Sequence, residues 1–121
     1  MTAAIIANLE KLLDGPRDGA MLRYSLGNEM LKAGDAAGAA RRFREAVEKD
    51  PRYSAAWKLL GKSLVEAGEP AAALIAYTQG IEVAEARGDV QAAKEMSVFA
   101  RRLQKTGAAT SLDQNAAGFL P

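Results

Sequence analysis

The chain has no cysteine and no histidine. The first absence excludes disulfides, a thiol nucleophile, thiolate zinc sites and iron–sulfur clusters. The second removes the commonest general base and the commonest metal ligand. Aromatic residues are scarce, seven in 121 positions, and that disfavours a sheet. An excess of one charge is missing too. Sixteen Lys and Arg against fifteen Asp and Glu leave +1, unlike a strongly cationic nucleic-acid binder. Arg41-Arg42-x-Arg44 and Arg101-Arg102 are short basic clusters with no aromatic stacking platform beside them. No apolar run approaches the ~18 residues of a membrane span. The opening Met-Thr-Ala-Ala-Ile-Ile-Ala-Asn-Leu-Glu lacks a basic n-region and a cleavage site. The expectation is a soluble cytoplasmic protein with no nucleic-acid and no membrane partner.

Alanine, by contrast, fills 26 positions, and it is the best helix former. The small residues also recur. Shifting the chain by 34 residues places Leu26-Gly27 on Leu60-Gly61, Ala33-Gly34 on Ala67-Gly68, Ala39 on Ala73 and Glu48 on Glu82. Met30 falls on Leu64, Asp35 on Glu69, Phe43 on Tyr77 and Val47 on Ile81. An alanine-rich chain matches itself by chance at a few alanines, but not at glycine, aromatic and acidic positions in one frame. Each unit reads as two helices. The first unit gives helices over 20–33 and about 36–50, with Gly34 as a C-cap, Asp35 as an N-cap and Asp50-Pro51 as a stop. The second gives helices over 54–67 and 71–87, with Gly68 between them and Pro70 in a first turn.

Trp57, Leu60, Gly61, Leu64, Ala73 and Tyr77 of the second unit, and Leu26, Gly27, Met30, Ala39, Phe43, Ala46 and Pro51 of the first, fit W-x2-L-G-x2-Y, then A-x3-F, then P. This chain therefore resembles the tetratricopeptide repeat family over residues 20–87. The resemblance implies an all-α, right-handed solenoid of antiparallel helix pairs, with about six helices. Three positions depart from the pattern: Arg23 where a large apolar residue is usual, Gly80 for a second small Ala, and Glu85 for the terminal Pro. Looser packing is expected at Arg23, and a last helix running on toward Gly88 is expected from Glu85. Core positions are expected at Leu26, Gly27, Phe43, Ala46, Trp57, Leu60, Gly61, Leu64, Ala73, Tyr77 and Ile81.

The flanks complete the stack. Residues 1–15 hold an amphipathic helix over 3–13, and Ile5, Leu9 and Leu12 lie 34 residues before Ala39, Phe43 and Ala46. It stands as the second helix of a preceding unit. Gly15-Pro16 then turns the chain. The units run 20–53 and 54–87, and a helix over 89–105, N-capped by Asp89, closes the far end. Residues 106–121 carry no periodicity and are expected to be a flexible tail, its Gly118-Phe119-Leu120 available as a self-ligand.

Catalytic residues, metal ligands and cofactors are not expected. There is no G-x-G-x-x-G and no glycine-rich loop before a Lys-Ser/Thr. The acidic residues read as solvated helix faces, with Glu45 in i,i+4 pairs with Arg41 and Lys49. The resemblance implies a protein-interaction module whose first helices line a concave groove for a peptide or protein segment. Moving one residue from the interior stripe gives Lys58, Lys62 and Val65 in the second unit, and Tyr24, Asn28 and Leu31 in the first. For the last helix, a strict period would bury Lys94 and Glu95 and leave Phe99 in the groove. A two-residue lengthening instead buries Ala93, Met96, Ser97 and Ala100 and turns Lys94, Val98 and Arg101 to the groove, the register preferred because unpaired buried charge is costly. Converging Lys58, Lys62, Lys94 and Arg101 would suit acidic side chains or a chain-terminal carboxylate. Some chaperone-binding members of the family clamp such a carboxylate with Lys and Asn. Asn28 matches one of those residue types; Tyr24 and Leu59 depart from the others, so that clamp is not expected here. The alternative is a self-associating scaffold, a homo-oligomer built through Met96 and Phe99 or the exposed flank of the N-terminal helix.

Overall fold

The computed structural model describes residues 2–107. These form six helices and no strand: α1 Thr2–Glu10, α2 Ala20–Lys32, α3 Ala36–Lys49, α4 Ser54–Glu66, α5 Pro70–Arg87 and α6 Val90–Lys105. The tail expected beyond them lies, from residue 108 on, outside the described residues. The fold is the all-α helical repeat that the sequence pattern implies.

Helix ends follow local chemistry. α2 and α4 give way to Gly34 at φ +88° and Gly68 at φ +80°, left-handed positions that a side chain resists. Asp35 accepts the Gly38 N–H at 2.9 Å, and Asp89 accepts the Ala92 N–H at 3.3 Å, each capping the helix that follows. With Glu85 in the place of a proline, α5 runs 18 residues and stops at left-handed Gly88. α1 is shorter than its apolar stripe. After Glu10 the chain tightens into i→i+3 turns, Leu12 N–H to Leu9 O at 3.0 Å and Leu13 N–H to Glu10 O at 3.2 Å. Asp14 then turns left-handed and donates its N–H to the Asp18 carboxylate at 2.7 Å.

Each helix packs on the next in the chain, and the short connections make neighbours antiparallel. In addition α2 meets α4 and α4 meets α6, whereas α1, α3 and α5 do not meet one another. The even helices therefore form the inner layer of a curved stack. Its core is built on rings laid against glycine. A Cβ on Gly27 would lie 2.8 Å from the Phe43 ring, and one on Gly61 would lie 2.5 Å from the Tyr77 ring. Gly80 has the same logic one step along: its missing Cβ leaves room for the Met96 thioether from α6 and the Trp57 Cβ from α4. Leu26, Phe43, Ala46, Leu60, Leu64, Ala73 and Tyr77 are buried. Trp57 and Ile81 are only half-buried, and the indole N–H of Trp57 donates to the Pro51 carbonyl at 2.8 Å.

Arg23 does not loosen the first pair. It is 9% exposed and carries a network of ion pairs. Its Nε donates to Asp18 Oδ1 at 2.9 Å, its Nη2 reaches the other Asp18 oxygen, and its Nη1 donates to Glu45 Oε1 at 2.9 Å. Arg42 Nη1 meets the same Glu45 oxygen at 2.9 Å. Glu45 thus faces the α2–α3 seam, not a solvated pair with Arg41 or Lys49. The Arg23 hydrogen bond holds the Asp18 carboxyl well below the usual carboxylate range, and the Asp14 N–H adds to it. Burial opposes ionisation of Glu45, yet the bonds from Arg42 and Arg23 outweigh it and lower its pKa.

Two outcomes follow from this packing. Gly61→Ala gains about 1 kcal/mol of helix propensity but forces the Tyr77 ring aside at about 1–3 kcal/mol. The urea midpoint should fall, and Tyr77→Leu added to it should cost less than the two single losses summed. The Asp18 and Glu45 pKa values are depressed on folding, so their contribution is complete above about pH 5 and is lost as pH falls through and below about 4. Urea midpoints measured from about pH 5 down to about pH 2 should decline less steeply in Asp18→Asn than in the parent.

Candidate functional site

Of the eight residues expected at a groove, six lie along the inner layer and two, Lys94 and Arg101, do not. Tyr24 on α2 is half-buried; it stacks on Tyr53 with ring centroids 4.8 Å apart and meets Phe43 edge-on at 5.6 Å. Asn28 and Leu31 continue that helix face, also half-buried. Lys58 reaches across from α4 to α6, where its Nζ lies 2.9 Å from Glu95 Oε2. The hydrogen bonds from Lys58 and then Gln91 hold the Glu95 carboxyl below its ordinary range.

One helical turn on, the same seam opens. Lys62, Val65 and Glu66 of α4, Tyr77 of α5, and Phe99, Arg102 and Leu103 of α6 enclose a hollow of about 370 Å³. Its floor is layered: Phe99 stacks on Tyr77 at 5.5 Å, and the Arg102 guanidinium lies 5.7 Å over the Phe99 ring. Burial pushes the Tyr77 hydroxyl up to about 12, with the Glu66 charge adding to the shift, so the phenol stays neutral. Among the described residues Lys62 makes no ion pair. The hollow therefore offers an apolar floor, two cations and one carboxylate at its rim, and no arrangement of three or more acidic side chains suited to a metal.

Lys94 and Arg101 lie elsewhere. With Glu85, Gly88, Val90, Ala93, Ser97 and Val98 they line a second hollow of about 560 Å³ at the outer end of the stack. Ala93, Met96 and Ala100 are buried as the lengthened register requires, but Ser97, expected with them, is half-buried and lines this hollow. Yet the four cations do not converge: Lys58 and Lys62 stand over the α4–α6 seam, Lys94 and Arg101 beyond α6. Of the residues that complete the seam from α6, Phe99 faces the groove in the strict-period register and not in the preferred one, and Glu95 and Arg102 face it in neither register. The three recur at i, i+4 and i+7, a stripe visible in the sequence.

Helix pairs nested through glycine, with side chains presented from alternate helices, define a repeat scaffold of the class that binds other proteins along its inner layer. The comparisons with known proteins agree. The model of the tetratricopeptide repeat matches residues 24–90. A TPR repeat-containing protein of Pseudomonas aeruginosa is 50% identical over 101 residues, covering 84% of this chain and 96% of that one. A Bordetella parapertussis protein solved in solution shares 39% identity and superposes with a TM-score of 0.73 over 87% of this chain and 91% of its own. A tetratricopeptide repeat domain protein from Salinibacter ruber shares 33% identity, with a TM-score of 0.67 over 76% and 92%. The chain belongs to the tetratricopeptide repeat family. That repeat is generally a non-catalytic unit that binds protein partners, and no helix among the described residues is long and apolar enough to cross a membrane.

Proposed function

We propose that this chain is a non-enzymatic module that binds a short peptide or an extended protein segment along its inner layer, with the hollow between α4 and α6 as its main contact. The observation that carries this reading is the pairing of an apolar floor, Val65, Tyr77 and Phe99, with the cations Lys62 and Arg102 at one rim. Such a place takes a bulky apolar side chain with a carboxylate next to it, either an acidic side chain or a terminal carboxylate. Lys58 is a weaker contact, because a ligand anion must compete there with Glu95. Tyr24, Asn28 and Leu31 extend the surface along α2 for the rest of the segment. Lys94 and Arg101 contribute little to this ligand, since α6 stands between them and the floor.

The probe is a fluorescein-labelled acidic peptide ending in Phe-Asp, compared with its C-terminal amide and with a scrambled control, by fluorescence anisotropy. Lys62→Glu and Arg102→Glu should each weaken binding of the acid about 10-fold, the loss of one charge-assisted contact. Lys94→Glu and Arg101→Glu should leave it within about 2-fold. Equal losses from all four reversals would mean that only net charge is read, and the hollow would not be the site. Circular dichroism checks that each variant remains folded.

A further inference from the structure

The two ends of this stack are complementary halves. α1 packs on α2 in the manner of a second helix whose own first helix is missing. The exposure of one position shows this. Ala39 on α3 and Ala73 on α5 are 0% exposed because each faces the first helix of its own pair. Ile5, 34 residues before Ala39, is 44% exposed. At the other end α6 is a first helix that packs on α5 and α4, and no second helix of its own pair follows it among the described residues. Gly27 and Gly61 are covered by the Phe43 and Tyr77 rings of their partners. Their counterpart on α6 is Ser97, and over it lies the outer hollow, with Val90 61% and Val98 39% exposed at its edges.

We propose that a second copy of this chain fills that hollow with its α1, so that α6 of one molecule and α1 of the next form a complete helix pair. The register is set by the two pairs within the chain. Phe43 over Gly27 becomes Leu9 over Ser97, and the antiparallel run then sets Ile5 opposite Arg101. Charge agrees with this register. Within the first pair, Arg23 and Glu45 are joined at 2.9 Å. The place of Glu45 is held by Lys11 and that of Arg23 by Ala93, and Glu85 of α5 lines the same hollow as Ala93, so an acid lies near the place Lys11 would reach. Lys11 and Glu85 are exposed, and among the described residues neither has an ion-pair partner. The contact is heterologous and does not consume either end, so growth is open and not limited to a dimer. A helix of nine residues covers much less than the ~800 Å² per partner of a stable interface. Association is therefore weak, with a midpoint on the order of 100 µM, and it leaves the α4–α6 hollow free.

Sedimentation equilibrium of the full chain, from about 10 µM to about 1 mM, should show a mass that climbs with concentration and passes that of a dimer. Ile5→Glu blocks one end and Ser97→Arg the other. Each variant alone should stay monomeric, while their equimolar mixture should form a dimer and nothing larger, because each retains the end the other lacks. Should Ser97→Arg alone still dimerise, the contact is α1 on α1 and the proposal fails. A parent chain that stays monomeric throughout, as it would if its own residues 108–121 covered the hollow, also overturns it. The absence of native cysteine allows a second measurement that does not depend on blocking. Ile5→Cys mixed with Arg101→Cys should oxidise to the mixed disulfide; a predominance of either homodisulfide contradicts the stated register.

Discussion

The contact that everything else depends on is an aromatic ring lying flat against a helix backbone that has no Cβ. At Gly27 and at Gly61 the space a methyl group would need is already occupied by Phe43 and Tyr77. Two helices that touch this closely have their spacing and rotation fixed together, because the ring fits over one residue and not over its neighbours. The 34-residue repeat then copies that geometry once, and the copy sets the position of α6 through Gly80 and Met96. The hollow between α4 and α6 inherits its shape from this sequence of contacts. Tyr77 packs on Gly61 with one face of its ring system and supports Phe99 with the other, so a single residue joins the core to the proposed binding floor.

Most of the fold was legible because its determinants are local. Gly34, Gly68 and Gly88 stop helices, Asp35 and Asp89 start them, and the structure places these ends within a residue of where the sequence puts them. Two features were not legible, and both depend on partners far apart in the chain. Arg23 reads as a flaw in an apolar pattern when only its own helix is considered. Asp18 and Glu45, 5 residues before it and 22 after it, turn it into a satisfied charge that closes the first pair as an apolar residue would. The N-terminal helix was overextended for a related reason. Leu12 and Leu13 continue its apolar stripe, but Asp14 turns toward Asp18 to serve the same ion cluster and unwinds the last turn into i→i+3 bonds.

The site was half legible. Helical phase correctly separated the buried side of α6 from its exposed side, since Ala93, Met96 and Ala100 are small or flexible residues suited to close packing. Phase alone does not say which of two exposed flanks faces the neighbouring inner helix. Lys94, Val98 and Arg101 stand 36 residues after Lys58, Lys62 and Val65, the shift that also sets Ser97 on Gly61, so they face where a following inner helix would lie. α6 is the last inner helix among the described residues, so that flank lies at the outer end, and the other flank, Glu95, Phe99 and Arg102, meets α4 at the seam.

The seam itself is asymmetric, and the asymmetry orders its contacts. Near the start of α4 and α6, Lys58 and Glu95 are joined across it at 2.9 Å, so the layer is closed there by its own charges. Toward the ends of the two helices the hollow is edged by Lys62, Glu66 and Arg102, and among the described residues neither cation makes an ion pair. An incoming carboxylate at the closed end must displace a resident one and gains only the difference between two similar ion pairs. At the open end it meets cations that hold no resident ion pair among the described residues, beside an apolar surface where the same charge interaction is stronger. The apolar floor and the unpaired cations therefore reinforce each other at one place. In the proposed mode, a segment laid along the inner layer would have its direction set by that difference, with its apolar and acidic end toward Arg102 and the remainder running back over Lys58 toward α2.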